Sequence, residues 1–167
     1  VLSEQLSVVP GTCSTVWGMN FDKEPFGNVH IRRAFAYSFD QESMVTNILQ
    51  GAGIPSRWWT PPSINMAPTL ETDPDLGMAF DPVMAQAELA LGLEELGLAS
   101  VDELPPITVV YRDREGENNM AQALQVFIED TLGIRVELAP QDSTTYWATQ
   151  AEDAGQMYYS GWCPDYN

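Results

Sequence analysis

The sequence has 167 residues, of which 44% are hydrophobic and 10% aromatic, enough for one domain with a folded core. It carries 24 acidic residues against 7 basic ones, a formal net charge of −17. This balance argues against nucleic acid as a partner, because binding to phosphates depends on Lys and Arg. The sequence has no apolar run of the length, about 18 residues, that would predict a membrane span.

The first half of the chain predicts strand, helix, helix and loop, in that order. Residues 8–20 contain alternating β-branched and aromatic residues typical of one or two strands. From Val29 the apolar spacing becomes helical, and Asp40 is a predicted cap for a second helix that ends at Gly51. Residues 53–80 hold five prolines and little periodicity, which predicts a long surface loop of the kind that often carries function.

The second half predicts a βαβ unit preceded by one helix. Asp81 and the proline after it are the expected cap and first residue of a helix that ends at Gly97. The apolar run ITVVY, the amphipathic stretch 117–132 and the alternation at 134–138 then predict strand, helix and strand. Such a unit favours a parallel pair of strands. The chain finishes with a predicted helix and a predicted strand, at residues 144–150 and 157–160.

The sequence contains no recognisable catalytic motif, and its 24 carboxylates are too many for any one pair to indicate a glycosidase. His30 is the single histidine, and we interpret it as a structural or surface residue rather than the base of a nucleophile. No GxSxG, phosphate-loop or dinucleotide-binding pattern occurs. One histidine and two distant cysteines do not form a zinc motif, and the acidic stretch 71–75 lacks the glycine and terminal glutamate of a calcium loop. We therefore predict no catalytic residue, no metal and no cofactor.

Two segments resemble a known family. PFGNVHIRRAFAYSFDQ, which begins at Pro25, resembles a hallmark of the family 5 extracellular solute-binding proteins, with His30 in place of the usual arginine. GWCPDYN at residues 161–167 is similar to the GWCADYN of oligopeptide- and dipeptide-binding proteins. Between them, TPP at 60–62 and the βαβ unit occur in the family's order.

The resemblance implies an α/β fold, one lobe of a two-lobed periplasmic-binding-protein-like (type II) fold with a mixed sheet flanked by helices. Residues 1–167 would form this single lobe, a piece of a longer chain, with residues 1–20 and 157–167 near the hinge side. Its expected partners are a peptide or other small solute, the other lobe of the same chain and the permease subunits of an ABC importer. The expected location is extracytoplasmic, with a lipid anchor outside this segment.

The resemblance also implies ligand contacts near the C-terminus. In the family the aspartate of GWCADYN pairs with the ligand's α-ammonium group, and Asp165 matches it, although composition alone would make it an ordinary exposed acid. Tyr159 stands where peptide binders can carry an arginine for a short peptide's carboxylate, which predicts a longer peptide or a different solute. The remaining aromatic candidates for the cleft are Trp162, Tyr158, Trp58 and Trp59.

The two cysteines, Cys13 and Cys163, lie near opposite ends of the chain. In an exported acidic protein they could form a disulfide or remain two buried thiols. The resemblance implies the disulfide, because oligopeptide-binding proteins have a cystine at the corresponding places.

Two other functions stay open at this point. The chain could be a non-catalytic fragment of an α/β hydrolase or glycosidase whose catalytic residues lie elsewhere, or a stand-alone interaction domain. A second α/β lobe in the full gene would select the solute receptor, and turnover that depends on a carboxylate would select the enzyme.

Overall fold

The computed structural model describes residues 11–165, and a single four-stranded sheet organises that range. The strands are β1 (Ser14–Met19), β2 (Ile107–Arg112), β3 (Val136–Gln141) and β4 (Met157–Trp162). The helices are α1 (Val29–Ser38), α2 (Gln41–Ser43), α3 (Pro82–Leu96), α4 (Glu115–Leu132) and α5 (Ser143–Asp153). A π-helical segment, Met44–Ile48, follows α2, and a 3-10 turn lies at Val101–Glu103. None of the helices described is long and apolar enough to cross a membrane.

The sheet is mixed and has the strand order β1-β4-β2-β3. The predicted βαβ unit is confirmed, because β2 pairs with β3 in parallel, with Ile107 opposite Val136. β4 also runs parallel to β2, whereas β1 runs antiparallel to β4. The carboxyl ends of β2, β3 and β4 therefore lie at the same end of the sheet.

Both faces of β2 are covered, which explains its nearly continuous apolar sequence. Val109 belongs to the main core, together with Leu124 of α4. Val110 faces the opposite side of the sheet, where the chain that follows α5 passes closely over it. A Cβ atom at Gly155 would lie 2.5 Å from Cγ2 of Val110. The return from β3 to β4 thus crosses β2 on the face opposite α4.

The hallmark segment around Pro25 builds the packing of α1 against α3. Asn28 caps α1, since its side-chain oxygen accepts hydrogen bonds from the backbone N–H groups of His30 (2.8 Å) and Ile31 (3.1 Å). Ile31 is fully buried and lies against Gly92 of α3. Nδ1 of His30 lies 2.6 Å from Oε2 of Glu88 on α3, so this histidine has a structural role.

Two predicted elements differ in detail from the structure. The helix capped by Asp40 has only three α-helical residues before it widens into the π-helical segment, although Asp40 does accept a hydrogen bond from Ser43 N (2.9 Å). The predicted strand at 8–20 is β1 alone within the described residues, and positions 8–10 lie outside them. The helix predicted from 117 begins at Glu115.

A disulfide joins Cys13 to Cys163, with 150 residues of separation between them. Cys13 immediately precedes β1 and Cys163 immediately follows β4. The covalent link therefore closes the ladder in which Ser14 pairs with Trp162.

Gly92→Ala should destabilise the fold by about 1–3 kcal/mol, because overpacking a tight contact forces its neighbours to shift. The new methyl group would lie 2.6 Å from Cδ1 and 3.2 Å from the backbone nitrogen of Ile31. Gly116→Ala in α4 is the matched control, since nothing lies within 4 Å of its added Cβ. Urea denaturation would measure both, and equal midpoints for Gly92→Ala and the wild type would contradict the tight contact.

Under non-reducing conditions the intact mass should be lower by two hydrogen atoms than the mass calculated for the chain with both cysteines reduced. Reduction should lower the free energy of unfolding by up to about 5 kcal/mol, the chain-entropy value for so long a loop. Mass spectrometry after alkylation of the native protein checks the bond, and two freely alkylated thiols would disprove it.

Candidate ligand-binding site

The candidate site lies at the end of the sheet where β1 begins and β4 finishes. The long loop 53–80 is fastened to this end by two hydrogen bonds. Ser14 Oγ donates to the carbonyl oxygen of Trp59 (2.6 Å), and Ser63 Oγ donates to that of Gly11 (2.8 Å). The loop therefore covers the beginning of β1, next to the disulfide.

A surface cavity of about 190 Å³ lies between the loop and the sheet. Trp59 is 50% exposed and Trp162 is 62% exposed, so both indoles remain available to a ligand. The residues that line the cavity are all uncharged: Thr12, Ser14, Trp59, Thr60, Pro61, Ile64, Trp162 and Pro164.

Asp165 is exposed and is the next residue in the chain after Pro164, which lines the cavity. A carboxylate in this position can accept a charge-assisted hydrogen bond from a cationic group whose apolar neighbours occupy the cavity. Such bonds become stronger when the surroundings exclude water.

The structure separates the other candidates from this cavity. Tyr158 and Tyr159 point to opposite faces of β4, as neighbouring strand residues do. Tyr159 packs against Trp17, with 5.1 Å between ring centroids, and belongs to the core side. The ring of Tyr158 lies across Gly18, where an added Cβ would come within 2.6 Å of it.

Trp58 is half-buried, and its carbonyl oxygen accepts a hydrogen bond from Ser56 Oγ (2.7 Å). It is absent from the lining of the cavity. Of the predicted contacts, the structure thus brings Trp59 and Trp162 together at the cavity, and Asp165 follows Trp162 by three residues in the chain.

Sequence reasoning missed a cluster around Arg112, the last residue of β2. Its guanidinium carbon lies 5.9 Å from the ring centroid of Tyr146, 5.6 Å from that of Trp147 and 5.9 Å from that of Tyr159. It also forms a short ion pair with Glu117 of α4. The one sequence signal was an arginine that ends an otherwise apolar strand.

Tyr146 is buried and Tyr159 is partly buried in this cluster, and burial affects the ionisation of both hydroxyls. Burial raises the pKa of Tyr146 to about 12, and burial also raises the pKa of Tyr159. The hydroxyl of Tyr146 donates a short hydrogen bond to the carbonyl oxygen of Tyr159, which ties α5 to β4. Among residues 11–165, no three His, Cys, Asp or Glu side chains are grouped so that they could hold a metal ion.

Stability should decrease as the pH rises from about 10 to about 12, the ordinary and the raised pKa of Tyr146. In this window the unfolded chain loses the tyrosine proton while the folded chain keeps it, so ionisation favours unfolding. Denaturation of the wild type and of Tyr146→Phe across this pH range, with tyrosinate absorbance as a second signal, measures the effect. The free energy of unfolding of the variant should depend less on pH than that of the wild type. An identical slope of this free energy against pH in both proteins would contradict the raised pKa of Tyr146.

Comparison with known proteins places these features in a family. The sequence model of a protein family, the bacterial extracellular solute-binding proteins, family 5 Middle, matches residues 2–167. The oligopeptide-binding protein of Bacillus subtilis is 31% identical over 148 residues, which are 89% of this chain and 27% of that protein. The periplasmic oligopeptide-binding protein of Escherichia coli is 25% identical over 167 residues, 99% of this chain and 30% of that protein. The chain thus spans less than a third of the length of these curated relatives.

Solved structures share the fold at lower identity. A periplasmic oligopeptide-binding protein from Borrelia burgdorferi superposes with a TM-score of 0.81 at 24% identity, over 93% of this chain and 29% of that one. The oligopeptide-binding protein of Haemophilus influenzae, solved in complex with RPPGFSPFR, gives a TM-score of 0.73 at 22% identity, over 94% of this chain and 30% of that one. The fold is the α/β fold of type II periplasmic binding proteins, which confirms what the resemblance implied. With a family model that covers all but its first residue, this chain belongs to the family 5 bacterial extracellular solute-binding proteins.

Proposed function

We propose that this chain is the ligand-binding lobe of an extracytoplasmic receptor that delivers peptides or related solutes to an ABC importer. The observation that carries the proposal is the uncharged cavity between Trp59 and Trp162, with Asp165 the next residue in the chain after Pro164 of its lining. Membership of the solute-binding family supports the same function. The receptor performs no reaction, and recognition depends on enclosing the ligand.

The size and openness of the cavity support a single lobe, residues 1–167, of a larger protein. About 190 Å³ is less than the roughly 300–1,000 Å³ of typical ligand pockets. A second surface is needed to enclose a ligand, and hinge closure of two lobes supplies one. β1 and β4 are adjacent and joined by the disulfide, so residues 1–20 and 157–167 are the parts that we place nearest to the hinge.

Peptides fit the chemistry of the site. A peptide offers an α-ammonium group for Asp165 and apolar or aromatic side chains for the indoles of Trp59 and Trp162. Two of the structural neighbours were solved with peptides bound, those from Haemophilus influenzae and Listeria monocytogenes. Tyr158, Tyr159 and Trp58 are weaker candidates for contact, because they lie outside the cavity.

The proposed location is outside the cytoplasm, with the full protein anchored to the membrane by lipid and docking on permease subunits. The disulfide supports this location, because cystines persist in oxidising compartments. The net charge of −17 supports a soluble surface that resists self-association.

Asp165→Asn in the full-length protein should weaken peptide binding about ten- to a hundredfold, the usual contribution of a hydrogen bond to a charged group. Isothermal titration calorimetry would measure the dissociation constant for a peptide that co-purifies with the receptor and is identified by mass spectrometry. Asp130→Asn is the matched control, because Asp130 is an exposed carboxylate on α4.

Equal affinities of Asp165→Asn and the wild type would remove Asp165 from the site. A full-length protein that co-purifies with no solute and binds no peptide would contradict the proposed function itself. An α-N-acetylated peptide should bind the wild type as weakly as the free peptide binds Asp165→Asn, because acetylation removes the ammonium group.

A further inference from the structure

Exposed apolar side chains are concentrated in the long loop 53–80. Six large hydrophobic residues of this loop are exposed: Ile54, Trp59, Met66, Leu70, Leu76 and Phe80. Met66 is the extreme case, since it is 93% exposed, more than any other large hydrophobic residue between 11 and 165. A single exposed apolar residue is ordinary, but several in one segment indicate a surface that another surface covers.

The loop is closed at its base and has a defined shape. Gly77, which has a φ of +76°, passes close to Arg57, because a Cβ atom added at Gly77 would lie 2.8 Å from the Cβ of Arg57. Residues 58–76 project beyond this closure, and the N–H of Asp73 donates to the carbonyl oxygen of Thr69 within them (2.8 Å). Compact surface loops whose ends lie close together are frequently functional.

The backbone of Met66 has a conformation that costs free energy. Its φ is +62°, and Gln50 is the one other non-glycine residue with a positive φ between residues 11 and 165. Met66 is the third residue of a turn in which the N–H of Ala67 donates to the carbonyl oxygen of Ile64 (3.1 Å). A positive φ at this position favours glycine or asparagine. Such conformations persist where the surrounding structure enforces them, and they cluster at ligand clamps and switch regions.

The turn that carries Met66 also forms an edge of the candidate site. Ile64, its first residue, lines the cavity of about 190 Å³. Ser63 Oγ fastens the chain just before the turn to the carbonyl oxygen of Gly11 (2.8 Å). Two residues of chain span at most about 7 Å, so Met66 lies within that distance of Ile64. A surface that closes over the cavity at this edge therefore also meets Met66.

The part of a full-length receptor outside residues 1–167 is large enough to supply that surface. The chain covers 27% of its relative from Bacillus subtilis and 30% of its relative from Escherichia coli. A second copy of this chain is a poorer partner, because two chains that each carry a net charge of −17 repel each other. Methionine suits a contact that forms and breaks, since its flexible, unbranched side chain adapts to an irregular apolar surface.

From these observations we infer that Met66 is a contact between the two lobes, formed when the receptor closes on its ligand. The inference rests on the proposed function and adds to it a surface outside the ligand cavity. Water surrounds the thioether in the open state, and closure buries it. Burial of apolar surface favours the closed state, to which the ligand binds more tightly, so loss of the contact weakens ligand binding.

Oxidation by hydrogen peroxide measures the exposure of Met66 in the full-length protein. The thioether sulfur takes one oxygen atom from the peroxide and water is released, so mass spectrometry of proteolytic fragments detects each sulfoxide. The probe peptides are Ala-Phe-Ala and RPPGFSPFR, neither of which contains methionine. We expect a bound peptide to slow the oxidation of Met66 about fivefold or more, because the closed state excludes the oxidant. Met84 on α3 is the control, since it is 41% exposed and its rate should not change.

Peptide binding that leaves the oxidation rate of Met66 unchanged would overturn the inference while the proposed function stands. Equally slow oxidation with and without peptide would also overturn it, because the contact would then not depend on closure. Protection that needs no peptide and increases with protein concentration would assign Met66 to an interface between two copies instead. Binding of neither peptide in calorimetry would contradict the inference and the proposed peptide receptor together.

Substitutions separate the contact from the stability of the fold. Met66→Gly should weaken peptide binding about tenfold, the effect expected when a buried methionine side chain is lost. The same variant should not lower the Tm of the ligand-free receptor, because glycine adopts a positive φ without strain. Met66→Leu should bind within about twofold of the wild type, since leucine is similar in size and apolar character.

Val126→Gln on α4 is the control for loss of an exposed apolar side chain. Val126 is 52% exposed and is absent from the lining of the candidate site, so the affinity of this variant should equal that of the wild type. Wild-type affinity in Met66→Gly would exclude the contact. A weaker affinity accompanied by a lower Tm of the ligand-free protein would give Met66 a structural role and would overturn the inference as well.

Discussion

The antiparallel pairing of β1 with β4, locked by the disulfide between Cys13 and Cys163, is the constraint on which the candidate site depends. It joins two segments separated by 150 residues and places Trp162 opposite Ser14. Ser14 in turn holds the carbonyl oxygen of Trp59, so the loop 53–80 takes its position from the same ladder. The two indoles, one from a strand and one from a loop, form a cavity only because this pairing exists.

The elements that were predicted well are those whose signals are local in sequence. Asp81 and Gly97 bound α3 as expected, since a cap and a left-handed glycine act within one turn of the helix. The order of the strands could not be predicted in this way. β4 lies between β1 and β2, and nothing in the alternation of residues 157–160 indicates which strands it joins, because apolar alternation marks a face and not a neighbour.

At the site, too, the sequence did not show which residues from distant segments come together. A motif indicated Trp162 and Asp165, but the adjacent residues Trp58 and Trp59 were equivalent in the sequence. The structure distinguishes them, since Trp59 lines the cavity and Trp58 does not. Arg112 was missed because its environment is made by α5 and β4, which are distant in sequence from the end of β2.

The charge distribution of the chain bears on which groups of a ligand the proposed site would favour. The cavity lining carries no charge, so apolar parts of a ligand meet little electrostatic cost there. A field from 24 acidic and 7 basic residues would favour the ammonium group of a bound peptide and disfavour its carboxylate. In the proposed site the field and the cavity would thus act together, since the field attracts a cationic group of a ligand towards Asp165 and the cavity accepts its apolar neighbours.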